Sequence, residues 1–358
     1  GACLGRRCFI PWGADVIYPN LYTLLVGPPA TRKNTPVKII ERHLMRSTNI
    51  RFAPSDTGGQ RQGLIVAMEG STHDVDEETE GALIAAVNTA DITTLGKLSM
   101  HVNAKDKHVM FAALTEFAPF IGQNSFSICT FLNKVYDGDD HQYRLRNVEY
   151  KLTNPLLGIL ASTNPRQIDE ILPPSVIGQG FTSRIIFVFA NKKYKRIPKP
   201  PPLPEELGRT LDKLFHELYY NCEGPVLFNQ QADVTLDKFY DIEIPLNDTR
   251  FIHYIDRRQS HLIKVAMILA VTSGRMEIQA DDILEAHDLL EYTEQFMPDA
   301  LGEFGMSPIG RAKQSMIEFL QHVNHPITTD ILWAMMSIDI CLTCMRCDFL
   351  NFTCRYHF

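Results

Sequence analysis

Long hydrophobic runs are missing from this sequence, since no apolar stretch approaches the roughly 20 residues that a membrane-spanning helix needs. A secretory signal is also missing, and we therefore expect no membrane partner. The sequence also lacks a net positive charge. Its 35 Lys and Arg residues are outnumbered by 42 Asp and Glu residues, which gives a formal charge of -7. Any binding of nucleic acid would then depend on local clusters of positive charge.

Half of the cysteines lie near the end of the chain, and the others are dispersed. Of eight in total, the four that lie close together are Cys341, Cys344, Cys347 and Cys354, with His357 nearby. These side chains would suffice for a tetrahedral zinc site, but a separate second C-x-x-C pair is missing, so an irregular C-terminus is the alternative. The dispersed cysteines indicate a reducing compartment. Because the sequence already has the character of a folded domain at Gly1, we expect a fragment of a longer protein.

The most informative stretch is an apolar run, residues 21–26, followed by a loop and then a helical pattern to about residue 47. The loop resembles the phosphate-binding pattern of Gly, four residues and then Gly-Lys-Ser/Thr. Gly27 and Lys33 keep the required separation, whereas Arg32 stands at the second Gly position and Asn34 at the hydroxyl position. The predicted nucleotide-binding residues are Gly27, Pro28, Pro29, Ala30, Thr31, Arg32, Lys33, Asn34 and Thr35.

Such a loop would cradle phosphate oxygens with backbone N–H groups at the start of a helix, whose dipole favours negative charge. Lys33 would reach the β- and γ-phosphates of ATP. Thr35 or Asn34 would have to replace the hydroxyl that holds Mg²⁺, and we take Thr35 as that residue, acting through the bound nucleotide. The alternative is a proline-rich turn between a strand and a helix.

Two further apolar strands end in polar residues. Residues 108–114 are followed by Thr115 and Glu116, at the place where P-loop ATPases carry an Asp and often a Glu. Glu116 would therefore be the carboxylate that activates water. The strand at 156–161 leads to Asn164, which would meet the γ-phosphate at the carboxyl edge of a parallel sheet. The alternatives are a surface Glu at a strand end and an Asn turn before a proline.

A hairpin with positive charge is predicted between these two strands. Residues 142–152 alternate in polarity around a central Asn, as the two strands of a hairpin do. The hairpin would present Arg144, Arg146 and Lys151, which we predict to contact DNA. The alternative is that these three side chains form only the solvated face of an exposed hairpin.

A Gly-rich loop, residues 177–184, delivers Arg184 to the start of another apolar strand, residues 185–190. An arginine in this position is usually structural. In a ring-shaped ATPase, however, it can complete a neighbouring subunit's site as an arginine finger.

The order of the phosphate loop, strands and helices resembles that of P-loop NTPases, AAA+ or RecA-like, and this resemblance implies an α/β fold with a parallel sheet and helices on both faces. We place this core at residues 1–191 and a basic, proline-rich linker at 192–204. An all-α lid at 205–300 follows, with helices predicted at 205–220, 234–244, 256–272 and 281–295. The last segment, 301–358, begins like a winged helix and ends in the Cys-rich tail.

This order of motifs resembles that of the P-loop replication ATPases of phages and plasmids, the helicase/primase-like domain class of mobile elements. The resemblance spans residues 6–337 and is clearest at 18–22, before the phosphate loop, and at 178–184. The same order is similar to that of MCM-type AAA+ helicases. In those proteins a hairpin precedes the sensor strand and points into a DNA-filled pore.

The resemblance implies an ATP- and Mg²⁺-dependent DNA helicase or translocase of mobile-element replication, working in the cytoplasm of a bacterial host. It would act as a ring, expected to be a hexamer, on single-stranded or forked DNA. The implied roles are Lys33 as the phosphate-loop lysine, Glu116 as the catalytic acid, Asn164 as the sensor and Arg184 as the trans-acting finger.

Three departures from the pattern favour a second hypothesis. Arg32 fills a Gly position, Asn34 a hydroxyl position and Thr115 an acidic position, and the last two weaken the expected Mg²⁺ site. The protein would then be a nucleotide-binding scaffold or regulatory assembly protein with little hydrolysis. A small-molecule kinase is a third option, against which the arginine loop and the long helical lid argue.

Overall fold

The computed structural model describes most of the chain up to residue 302. The described residues are 1–69, 107–123, 126–145, 148–177, 179–193, 195, 197–199, 201–240, 242, 244, 246, 248–302, 304, 305 and 320. The chain divides into two compact units, Gly1–Gly302 and Glu303–Phe358, and the elements named below belong to the first. The predicted winged-helix segment and Cys-rich tail, 301–358, lie outside the described residues, apart from positions 301, 302, 304, 305 and 320.

Strands and helices alternate along the first half of the unit, and helices dominate the second half. The strands are β1 (Cys8–Trp12), β2 (Asp15–Ile17), β3 (Tyr22–Val26), β4 (Val109–Leu114), β5 (His141–Leu145), β6 (Val148–Leu152), β7 (Leu156–Thr163), β8 (Ile185–Phe189), β9 (Gly224–Pro225), β10 (Leu227–Phe228) and β11 (Glu277–Ile278). The helices are α1 (Asn34–Ser47), α2 (Arg61–Glu69), α3 (Ala118–Ile121), α4 (Phe126–Asp137), α5 (Pro165–Ile171), α6 (Glu205–Tyr220), α7 (Gln230–Tyr240), α8 (Ile252–Thr272), α9 (Ala280–Glu294) and α10 (Met297–Leu301).

The central sheet has four parallel strands in the order β4, β7, β3, β8. Phe52 adds a parallel bridge to Phe111 on β4, so the chain at residue 52 lies beside that edge. The parallel sheet of the predicted α/β fold is thus confirmed. Because β7 lies between β3 and β4, the strand that leads to Asn164 separates the loop strand from the strand that leads to Glu116.

The side chains of β3 alternate between the two faces of this sheet. Helices cover both faces. On one face, the Tyr22 hydroxyl donates to the Leu132 carbonyl of α4 at 2.9 Å, and its ring meets Tyr136 edge to face. On the other face, Leu25 packs against the apolar cluster that includes Val37 of α1. The apolar alternation of a short strand therefore fixes α1, and the loop before it, against the sheet.

The first 17 residues form strands that the sequence did not predict. β1 pairs antiparallel with β2, and its first two residues pair in parallel with β9. Pro11, which lacks the N–H that a ladder needs, lies opposite Val16 in the β1–β2 pair. β9 pairs with residues 8 and 9 only, so Pro11 lies outside that ladder.

The four helices predicted for the lid are all present. α6 has the predicted bounds, whereas α7 and α8 each begin four residues before the predicted start. These helices belong to the same compact unit as the sheet. Among the described residues, none of the helices has the length and apolar character needed to span a bilayer.

Buried polar contacts join α8 to the sheet. The Lys264 ammonium donates to the backbone and side-chain oxygens of Asn20, at 3.0 and 2.8 Å, just before β3. The same ammonium lies 3.9 Å from the centroid of the Tyr136 ring, and burial lowers the pKa of Lys264 to about 7. A long helix from the second half of the unit is thus anchored beside the strand that carries the predicted phosphate loop.

A second buried group links α8 to α9. The Arg258 guanidinium lies 2.7 Å from a carboxylate oxygen of Glu294, and both side chains are about 5% exposed. The Tyr254 hydroxyl donates to the same carboxylate at 2.9 Å. One carboxylate therefore satisfies a cation and a phenol inside the helical packing.

His261 makes the stability of the protein sensitive to acid. The ring is buried, its Nε2 lies 2.9 Å from the Ser183 carbonyl, and it stacks on Tyr254. Burial lowers its pKa to about 3, helped by the charges of Lys264 and the nearby arginines. The folded pKa is below the unfolded one, so this contribution is complete above the unfolded pKa and is lost as the pH falls through about 6.5 towards 3.

We expect the His261 contribution to fall by about 2 kcal/mol between about pH 7 and pH 5. The measurement is the free energy of unfolding by urea at several pH values. His261→Gln should remove this part of the pH dependence, whereas His216→Gln, a change at an exposed histidine, should keep it. Equal pH dependence in the wild type and His261→Gln would contradict the prediction.

Candidate functional site

The predicted site residues, apart from Arg184 and the hairpin cations, meet at one edge of the central sheet. The loop from Gly27 follows β3, Glu116 follows β4 and Asn164 follows β7, and these strands run parallel. Backbone bonds hold the edge together, since the Gly27 N–H donates to the Thr163 carbonyl and the Phe117 N–H to the Ser162 carbonyl. This carboxyl edge is where ligands bind in open α/β sheets.

Two residues of the loop have a backbone conformation that is unusual for their type. Ala30 and Arg32 both have φ of 66°. This left-handed region favours glycine and costs other residues roughly 1–2 kcal/mol. Arg32 stands where the pattern has its second Gly, and its backbone has the positive φ that glycine adopts easily. A left-handed residue followed by Lys33 in the right-handed region points successive N–H groups into one concavity, which suits an anion.

Gly27 is needed for a steric reason. A Cβ atom at this position would lie 2.5 Å from the Ala190 carbonyl oxygen, where the chain leaves β8. Such a distance is far inside van der Waals contact, so the chain after β8 passes directly over the first loop residue. The Arg32 guanidinium then donates to the Ile197 carbonyl at 2.8 Å. The start of the basic linker is thus held beside the loop at two points.

Lys33 lies at the junction of the loop and α1. Its ammonium folds back across the loop and donates to the Pro28 carbonyl at 3.3 Å, and the Thr31 hydroxyl donates to the same oxygen. The first turn of α1 contains no acidic residue, and no side-chain hydrogen bond of the described residues caps its start. The helix end therefore offers N–H groups and a positive dipole to an incoming anion.

Ser162 connects the three chain segments at this edge, and sequence reasoning did not single it out. Its hydroxyl oxygen is fully buried and lies 2.6 Å from both the Asn34 side-chain oxygen and the Thr115 carbonyl. A hydroxyl has one proton to donate. If the oxygen and nitrogen of the Asn34 amide are exchanged, the amide N–H donates to the Ser162 hydroxyl, and this hydroxyl donates to the Thr115 carbonyl. Both contacts of Ser162 are then hydrogen bonds with one donor and one acceptor. The only sequence signal was a serine at the polar end of an apolar strand.

These residues do not fit the predicted Mg²⁺ site. Mg²⁺ is usually bound through one or two carboxylates together with phosphates and water, but Asn34, Ser162 and Thr115 are all neutral. Within the described ranges, no group of three or more His, Cys, Asp or Glu side chains is arranged to hold a metal ion. Thr35, predicted as the metal residue, is exposed. Its neighbour Asn34 is the residue that faces the sheet edge.

Glu116 and Asn164 have different surroundings. Glu116 is exposed one residue beyond the Thr115 carbonyl, where its carboxylate is free to meet water or ligand. The Asn164 side-chain oxygen accepts the Gln167 N–H at 2.9 Å and caps α5, which begins at Pro165. The alternative of an Asn turn before a proline is therefore present in the structure. For a sensor role, only the amide nitrogen of Asn164 would donate to a phosphate.

Arg184 lies at the opposite edge of the sheet, before β8. Its side chain is 8% exposed, pairs with the Asp137 carboxylate and donates to the Gly180 carbonyl at 2.8 Å. Arg257 lies 3.2 Å from the same carboxylate, and both arginines line a polar cleft of about 580 Å³. As placed, the guanidinium is bonded within its own chain. A role in a neighbouring subunit would require its ion pair to open first.

The predicted hairpin is confirmed. β5 and β6 pair from His141 with Leu152 to Leu145 with Val148, around a two-residue connection that lies outside the described residues and includes Arg146. Arg144 and Lys151 are exposed, as expected both for cations that contact DNA and for the solvated face of a hairpin. Arg144 faces the exposed Glu149 across the strands. The two cations therefore share their surface with one carboxylate.

Comparisons with known proteins do not assign the chain to a family. A scan against protein-family models and a search of curated proteins gave no significant match. The functional argument therefore depends on the geometry at the carboxyl edge of the sheet. The residues that carry it are the loop from Gly27 to Lys33, the hydrogen-bonded group around Ser162, and the exposed Glu116.

Proposed function

We propose that the chain binds a nucleoside triphosphate, with ATP as the first candidate, at residues 27–35. The observation that carries the proposal is the position of Lys33. Its ammonium lies across a loop of left-handed residues at the start of α1. An ammonium, a concavity of N–H groups and a helix dipole in one place favour a multiply charged phosphate chain.

We further propose that the bound nucleotide serves an oligomeric ATPase that moves on DNA, as a helicase or translocase of mobile-element replication. The strand order supports this, because Asn164 and Glu116 follow neighbouring strands beside the loop strand. Glu116 is exposed and able to orient or activate water. The confirmed hairpin offers Arg144 and Lys151 to a DNA backbone. Assembly into a ring and the trans role of Arg184 are part of this proposal.

The neutral group around Ser162 favours a second candidate function. With Thr115 in place of an acidic residue, the chain contributes little negative charge for a catalytic metal ion. Since metal ions neutralise the charge that develops during phosphoryl transfer, hydrolysis would be slow. In this second proposal, ATP is a ligand that stabilises an assembly, and the protein acts as a nucleotide-binding scaffold.

Turnover of ATP by the full chain, with and without single-stranded DNA, separates the two candidates. For the translocase we expect multiple turnovers that DNA stimulates, and Glu116→Gln should lower the rate about 100-fold or more without loss of ATP binding. Glu170→Gln, at an exposed carboxylate on α5, is the matched control. ATP binding without multiple turnover would favour the scaffold, and no ATP binding would refute both.

A further inference from the structure

We propose that this chain binds its triphosphate without help from a divalent metal ion, and that lysines of the linker supply the charge that a metal ion would otherwise provide. The inference rests on the proposed nucleotide site. It concerns affinity rather than catalysis. It also identifies Lys192 and Lys193, which the proposed function leaves without a role, as part of that site.

The first argument is the chemistry of the corner between α1, β7 and β4. A metal ion bound there would need oxygen ligands that are free and, for tight binding, anionic. Ser162 is instead bonded to the side chain of Asn34 and to the Thr115 carbonyl, both at 2.6 Å. A metal ion would have to break these bonds inside a fully buried position, and the three residues would offer it only neutral ligands in return.

The second argument is the path of the linker. The Ala190 carbonyl lies against Gly27, and the Ile197 carbonyl accepts a hydrogen bond from Arg32, so these two residues both lie beside the loop. Lys192 and Lys193 lie between these two fixed points and are exposed. We infer that their ammonium groups can reach the phosphate concavity, since Ala190 before them and Ile197 after them both contact the loop.

The charge balance follows from these two observations. A triphosphate brings several negative charges to the loop. Lys33 and the α1 dipole oppose part of this charge, and the first turn of α1 adds no acidic residue against it. Lys192 and Lys193 add two positive charges to the same place. With this compensation, Mg²⁺ carried by the nucleotide adds little to the affinity of the chain.

The test is the equilibrium affinity of the full wild-type chain for ATP, measured once with Mg²⁺ and once with EDTA. We expect the two dissociation constants to agree within about twofold, since the coupling between metal and nucleotide is small. Binding that requires Mg²⁺ would overturn the inference and leave the proposed site intact. No binding in either buffer would overturn the proposed site and the inference with it.

The role of the linker has its own test. Lys192→Gln with Lys193→Gln should weaken ATP binding about tenfold in both buffers, as expected for the loss of two partly screened charges. Lys213→Gln, at an exposed lysine on α6, is the matched control and should bind ATP as the wild type does. An unchanged affinity in the double variant would show that the linker lysines play no part.

Discussion

Replacing Lys33 with alanine is expected to weaken ATP binding about 100-fold, or about 2.7 kcal/mol. The ammonium already lies over the loop, where the Pro28 carbonyl is its acceptor. A phosphate oxygen is a stronger acceptor, and charge-assisted hydrogen bonds of this kind contribute about 1.5–3 kcal/mol each. The measurement is equilibrium binding of ATP to the full chain.

The loop should survive the loss of this side chain. Thr31 keeps its own bond to Pro28, and α1 remains packed through Val37. The matched control is Lys38→Ala, which removes the same charge from an exposed position on the same helix. It should bind ATP nearly as well as the wild type. Equal affinities for Lys33→Ala and Lys38→Ala would refute the site.

Replacing Glu294 with alanine is expected to lower the free energy of unfolding by about 3–5 kcal/mol. The change leaves the Arg258 guanidinium buried between α8 and α9 without its carboxylate, and it removes the acceptor of the Tyr254 hydroxyl. A buried charge without a partner keeps its full desolvation cost, which is why removing one member of the pair is so unfavourable.

Unfolding by urea measures this effect. Glu291→Ala changes an exposed carboxylate on the same helix and should alter the free energy of unfolding by less than about 0.5 kcal/mol. Glu294→Gln keeps an acceptor for Tyr254 and should fall between Glu294→Ala and the wild type. If Glu294→Ala unfolds at the urea concentration of the wild type, the pair does not stabilise the fold as described.

The sequence predicted the elements whose patterns are local. Apolar runs predicted the strands at 22–26, 109–114 and 185–189, and alternation around one Asn predicted the hairpin. The helix at 205–220 was predicted with its observed bounds. In each case the signal lies within one element, because burial of one face imposes a period of two or 3.6 residues.

What the sequence did not predict depends on partners that are distant along the chain. β1 is a strand because it pairs with β2 and with β9, more than 200 residues away. Ser162 belongs to the site because it is hydrogen-bonded to Asn34 and Thr115, and neither partner can be inferred from a serine at a strand end. Arg184 was predicted as a trans-acting finger, and the sequence did not indicate that Asp137 of the same chain lies close enough to bind it. Such pairings depend on the assembled fold rather than on local pattern.

The contact between Gly27 and Ala190 gives the segment after β8 a mechanical role. The segment contacts the loop at two residues, by close packing of Ala190 on Gly27 and by the hydrogen bond from Arg32 to the Ile197 carbonyl. A ligand that moves the loop must therefore also move Ala190 and Ile197, and a displacement of these two residues must change the loop. Ala190 and Ile197 therefore give the loop two contacts with the segment that leads to the helices from residue 205 onwards.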